Sequence, residues 1–101
     1  MNFSRIDVTQ AKALLAQDAV VVDIRDAHAF ANGSLPGALH LHADNVEAFI
    51  ASTDPALPLI VCCYHGNSSQ GAAAYFADKG FAQAYSLDGG YEAWAESDAF
   101  L

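Results

Sequence analysis

A chain of 101 residues, 53% hydrophobic and only 16% charged, can bury one core but not two, so residues 1–101 read as a single globular domain rather than a disordered segment. The formal net charge is −8, with Arg5, Lys12, Arg25 and Lys79 as the only permanent cations. That balance excludes nucleic acid and an anionic membrane as partners, since both demand clustered Lys and Arg; no apolar run is long enough to span a bilayer, and no basic stretch precedes an apolar one at the start.

Asp7 to Gln10 has the spacing of a capping box, and Val8, Ala11, Leu14 and Leu15 follow at helical spacing. The run Ala19-Val20-Val21-Val22-Asp23-Ile24 suits a strand buried on both faces. Arg25-Asp26 ends it, and residues 27–32 read as a short helical segment closed by Gly33. Pro36-Gly37 makes a turn before a short strand, Ala38-Leu39-His40-Leu41. Asp44 or Asn45 caps a helix through Val46, Phe49 and Ile50, which stops before Pro55. Leu59-Ile60-Val61-Cys62 is a further strand. Beyond the polar run that follows it, the spacing predicts a helix over 71–79, with Ala72, Tyr75, Phe76 and Ala77 at helical spacing and Gly80 at its C-terminal end. Ala84-Tyr85-Ser86-Leu87 is a last short strand, leading through Asp88-Gly89-Gly90 into one or two helical turns over Tyr91-Glu92-Ala93-Trp94. Strands alternate with helices along the whole chain, the pattern of an α/β fold with a parallel sheet.

The chemistry concentrates at Cys63-Tyr64-His65-Gly66-Asn67-Ser68-Ser69, a polar loop between a strand and a helix. In an open α/β sheet, ligands bind outside the carboxyl ends of the strands. Backbone N–H groups of such a loop, and of the first helical turn, converge and favour negative charge. A thiol there is expected to be exposed and held as thiolate, a nucleophile at neutral pH. Residues Tyr64 to Ser68 supply donors for the anion, and Gly66 allows unusual backbone angles and removes an obstructing side chain.

Cys62 and Cys63 are the only cysteines. As strand neighbours they point to opposite faces, so a disulfide between them is not expected. One buried and one functional thiol fit a reducing, cytoplasmic compartment. His65 reads as an exposed residue present for its backbone N–H, the alternative being a cationic neighbour of the thiolate. Asn67, Ser68 and Ser69 either bond the loop or a bound substrate or cap the helix, and for Ser69 capping is the preferred reading. Arg25 ends a strand near the pocket; an ion pair with Asp23 or another carboxylate is preferred to a direct role. Trp94 and Tyr91 are assigned to the core or its rim. His40, His42 and His65 with the two cysteines lack the regular spacing of a zinc site, and no metal is expected.

Three separated stretches carry a family resemblance. Val22-Asp23-Ile24-Arg25-Asp26, then Phe30, then Gly33-Ser34-Leu35-Pro36-Gly37-Ala38 resembles the first signature of rhodanese domains. Gly89-Gly90-Tyr91-Glu92-Ala93-Trp94 resembles their closing signature, and Cys63 to Ser68 is similar to their six-residue active loop, with Ser69 just beyond. The order is right, and the coverage is nearly the whole chain. The resemblance implies a three-layer α/β fold, a mainly parallel sheet of about five strands with helices on both faces. It also implies sulfane sulfur transfer from thiosulfate, through a persulfide on Cys63, to cyanide or to a thiol or dithiol acceptor such as a thioredoxin-like protein. No cofactor is implied. Ser34 stands where many members have His after the glycine, a position serving the fold.

Two other functions share this outline. A cysteine-dependent phosphatase, of the cell-cycle type for instance, needs an arginine to fork two donors onto the phosphoryl oxygens. Ser69 and Gln70 stand there instead, and the loop is one residue short for a tetrahedral group. A module that relays persulfide to a partner or senses redox state would use the same first half-reaction. Thiosulfate is a dianion repelled by the net charge of −8; screening over about 8 Å at physiological salt limits the penalty, so weak affinity is expected.

Overall fold

The computed structural model describes residues 2–99. Asp7 caps the first helix as its spacing predicts: its side chain accepts from Gln10 N–H at 2.8 Å, and the Gln10 side chain accepts from Asp7 N–H at 2.9 Å. The elements in chain order are β1 (Phe3–Ile6), α1 (Val8–Leu15), β2 (Val20–Asp23), α2 (Ala27–Ala31), β3 (Leu39–His40), α3 (Val46–Ser52), β4 (Leu59–Cys62), α4 (Ser68–Asp78), β5 (Ala84–Leu87) and α5 (Gly90–Ala99). Among the described residues the strands form one sheet in the order β1-β5-β4-β2-β3, and every neighbouring pair is parallel.

The period of two along each strand builds the three layers. On one face Leu59 and Val61 of β4 join Val22, Phe49 of α3, and Ala73 and Phe76 of α4. On the other, Ile60 and Cys62 of β4 join Val21, Ile6, Ala11 of α1 and Trp94 of α5. All four residues of β4 are buried, as a central strand covered on both sides must be. Its carboxyl end therefore delivers Cys63 to the rim of the sheet, between two helix layers.

Four details depart from expectation. β1 was not anticipated: it is an edge strand with Ser4 and Arg5 exposed, and its order comes from the register Phe3↔Ala84 through Ile6↔Leu87 against β5. Asn45 occupies the N-cap position of α3 but makes no capping bond, because its side chain accepts from His42 N–H and donates to the His40 carbonyl. α4 starts at Ser68, three residues before the expected Gly71. α5 runs ten residues rather than one or two turns, with Trp94 packed into the core.

Candidate active site

Cys63 follows the last residue of β4, and the loop after it wraps over the sulfur before α4 begins. The thiol is consequently buried, with only 3% of the residue exposed, and not exposed as expected. It forms part of the wall of a cavity of about 100 Å³ shared with Tyr64, His65, Asn67 and Ser68. Gly66 N–H and Ser69 N–H donate to Cys63 Sγ at 3.2 and 3.3 Å, and Ser69 Oγ lies 3.2 Å from it. Burial pushes the Cys63 thiol up, but hydrogen bonds from the Ser69 hydroxyl and from the N–H groups of Ser69, Gly66 and His65 outweigh it and hold the pKa below its ordinary value. Two of these donors belong to the first turn of α4, where the helix dipole also favours an anion.

Ser69 is therefore not a cap. Because α4 begins at Ser68, Ser69 turns inward, becomes fully buried and bonds both the sulfur and Ser86 Oγ, the latter at 2.7 Å. Asn67 takes the N-cap position but makes no side-chain cap bond; Asn67 and Ser68 line the cavity mouth with exposed side chains. The His65 backbone helps lower the Cys63 pKa, while its ring pairs with Glu92 at 2.7 Å on the surface.

The loop is held from behind by α5. Tyr91 N–H donates to the Cys63 carbonyl at 2.8 Å and Glu92 N–H to the Tyr64 carbonyl at 3.2 Å. This contact requires glycine at two places. Gly66 has φ +91°, and a Cβ there would lie 2.8 Å from Gly89 N; Gly90 has φ +58°, and a Cβ there would lie 2.4 Å from the Cys63 oxygen. Gly90, Tyr91 and Glu92 were not read as active-site residues, because their contribution is main-chain and long-range.

Cys62 contrasts with its neighbour. Fully buried on the Trp94 side, it is pushed up to about 12, by burial first and by the Asp23 charge second. It is a neutral core thiol, and both cysteines are free.

Arg25 is buried and committed to structure. Its guanidinium bonds both Asp23 oxygens, Nη2 to Oδ2 at 2.7 Å, and donates to the Gly33 carbonyl at 2.6 Å, with the Tyr91 ring 4.2 Å away. It does not line the Cys63 cavity. Tyr64 reaches the other way, its hydroxyl donating to the Asp26 carboxylate, which lowers the Asp26 pKa and raises that of Tyr64. His40 Nε2 meets the Arg25 carbonyl at 2.6 Å and His42 Nδ1 accepts from Asp44 N–H; among the described residues no three His, Cys, Asp or Glu side chains gather as a metal site.

Larger depressions lie elsewhere on the same rim, one of about 280 Å³ lined by Ile24, Leu41, Val46 and Tyr75, another of about 640 Å³ around Arg25, Asp26 and His40. Neither contains a nucleophile with converging donors, so chemistry rather than volume makes the Cys63 cavity the candidate site.

Residues 7–97 match the family model of the rhodanese-like domain, and the chain belongs to that family. It is 54% identical over 93 residues to the thiosulfate sulfurtransferase GlpE of Stutzerimonas stutzeri, covering 92% of this chain and 85% of the relative. Among solved structures, a rhodanese-related protein from Thermoplasma volcanium superposes with TM-score 0.79 at 19% identity, covering 94% of this chain and 93% of the other. A human single-domain sulfurtransferase superposes with TM-score 0.71 at 20% identity, covering 91% and 95%. These two likenesses concern the fold. Among the described residues, no helix is long and apolar enough to cross a membrane.

Proposed function

We propose that this chain is a thiosulfate sulfurtransferase, with residues 1–101 acting as one rhodanese domain and Cys63 as its nucleophile. The observation that carries the proposal is the convergence of the Gly66 and Ser69 N–H groups and the Ser69 hydroxyl on one buried sulfur. The 54% identity to a protein named for this activity supports the substrate.

In the first half-reaction the Cys63 thiolate attacks the outer sulfur of thiosulfate. A Cys63–sulfur bond forms, the S–S bond of thiosulfate breaks, and sulfite leaves with the bonding pair. The enzyme then carries a persulfide anion, and the Gly66 and Ser69 N–H groups hold the negative charge. In the second half-reaction an acceptor attacks the outer sulfur and Cys63 leaves as thiolate. Cyanide gives thiocyanate; a thiol or dithiol, such as that of a thioredoxin-like protein, takes the same sulfur as its own persulfide. Charge is conserved in both steps, and no cofactor is needed.

Tyr64, Asn67 and Ser68 border the mouth and are assigned to donor contact. Arg25 ties the end of β2 to the turn after α2 through Asp23 and Gly33, a structural rather than a direct role. The absence of any Lys or Arg among the residues lining the cavity disfavours phosphoryl transfer, as does Gln70, whose side chain bonds the Gly66 carbonyl. Two free cysteines support a reducing, cytoplasmic setting.

The test is the intact mass after incubation with thiosulfate under non-reducing conditions, beside Cys63→Ser. A gain of about 32 Da, one sulfur atom, removable by cyanide with release of thiocyanate and missing in the variant, is expected. No gain in either protein would overturn the assignment.

A further inference from the structure

The Cys63 sulfur is the near end of a line of three buried groups. Ser69 Oγ lies 3.2 Å from it, and Ser86 Oγ lies 2.7 Å from Ser69 Oγ. Both serines are fully buried, and Ser86 belongs to β5, a different strand from the one leading to the nucleophile. Its neighbours Ala84 and Leu87 are core residues, so a hydroxyl here is costly unless it is used. Among the described residues, Ser69 is the one hydrogen-bond partner of the Ser86 hydroxyl.

Counting hydrogens shows which charge state the line suits. With Cys63 as a thiol, the three groups carry three hydrogens and make two contacts, so one buried hydrogen lacks an acceptor. With Cys63 as a thiolate, two hydrogens serve two contacts. Ser86 donates to Ser69, Ser69 donates to sulfur, and nothing is left over. The proton lost from the thiol goes to solvent.

We propose that Ser86 is a positioning residue: by donating to Ser69 Oγ it turns the Ser69 proton onto the Cys63 sulfur and holds the nucleophile as thiolate between turnovers. The role rests on Cys63 being the sulfur-transfer nucleophile. Ser86 never touches substrate, and its effect passes through Ser69.

The experiment is the pH profile of Cys63 alkylation by iodoacetamide, in a Cys62→Ala background so that one thiol is read. Ser86→Ala is expected to move the midpoint upward by about half to one pH unit, up to a tenfold loss of thiolate well below the midpoint. Ser69→Ala moves it at least as far, and the double variant no further than Ser69→Ala, because the two act in series. Ser86→Thr, which keeps the hydroxyl, restores the parent midpoint. A merely structural role would lower the melting temperature and leave the midpoint in place. An unmoved midpoint in Ser86→Ala, or a double variant showing the full sum of both shifts, overturns the proposal. Should Ser86→Ala not fold, Ser86→Gly also removes the hydroxyl without adding a thiol and is expected to raise the midpoint likewise, an unmoved one again overturning it. Alkylation reads the thiolate without any sulfur donor, so a failure of thiosulfate turnover leaves this test independent.

Discussion

Replacing Gly90 with alanine tests whether α5 holds the active loop in place. The new Cβ falls 2.4 Å from the Cys63 oxygen and 2.6 Å from the Tyr64 carbonyl carbon and oxygen, main-chain atoms that no side-chain rotation can clear. The φ of +58° adds about 1 kcal/mol for any residue bearing a Cβ. Relief requires the loop and α5 to separate by more than half an ångström. That separation strains the Tyr91 N–H bond to the Cys63 carbonyl and the Glu92 N–H bond to the Tyr64 carbonyl, each contributing about 1 kcal/mol. The expected loss is about 3 kcal/mol, a fall in Tm of roughly 12–24 °C for a domain of this size. Thermal unfolding by circular dichroism measures the loss, and Cys63 alkylation at neutral pH reports the cradle, which slackens with the loop. A variant that melts within about 2 °C of the parent and alkylates at the same rate refutes the reasoning.

Three further outcomes follow from other residues. Cys62, pushed up to about 12 in the fold, stays protonated while its unfolded counterpart ionises near about 8.5, so the unfolded state sheds its proton first and stability falls as pH rises between these values. Cys62→Ala is expected to remove this alkaline loss; urea-unfolding curves whose pH dependence stays parallel to the parent would contradict it. Asp23→Asn leaves the Arg25 guanidinium buried without its carboxylate and is expected to cost about 3–5 kcal/mol in urea unfolding, whereas a cost below about 1 kcal/mol would mean water reaches the pair. With a net charge of −8 and no Lys or Arg lining the Cys63 cavity, added salt should lower the KM for thiosulfate, and a KM that climbs steeply with salt would place an attractive cation at the site.

What could be read from the sequence was local. The Asp7–Gln10 capping box depends on side chains three residues apart, and the β4–loop–α4 unit depends on an apolar run meeting a polar one. The parallel sheet followed from the alternation of elements, and the ion pair of Arg25 with Asp23 from their spacing of two. Interactions that depend on distant parts of the chain were hidden. β1 has two exposed residues of four and owes its order to β5, some eighty residues away. The burial of Cys63 depends on how the loop folds back, which composition does not encode. Ser69 reads from its spacing as a cap, with a bond to the loop or substrate as the alternative; the starting residue of α4 instead turns it inward onto the sulfur. Ser86 did leave a signal, a hydroxyl inside the short strand Ala84–Leu87, but its partner Ser69 lies seventeen residues away on α4.

The cradle around Cys63 draws two of its three hydrogen bonds from the main chain, at Gly66 and Ser69. Main-chain donors survive almost any change of side chain, so Tyr64, His65, Asn67 and Ser68 can vary at the cavity mouth without dismantling the anion site beneath them. On the proposed reaction, changes at the mouth would alter which molecule collects the sulfur while leaving the anion site intact, provided Gly66, Ser69 and Gly90 stay in place. The division allows one scaffold of this size to be retuned to many acceptors.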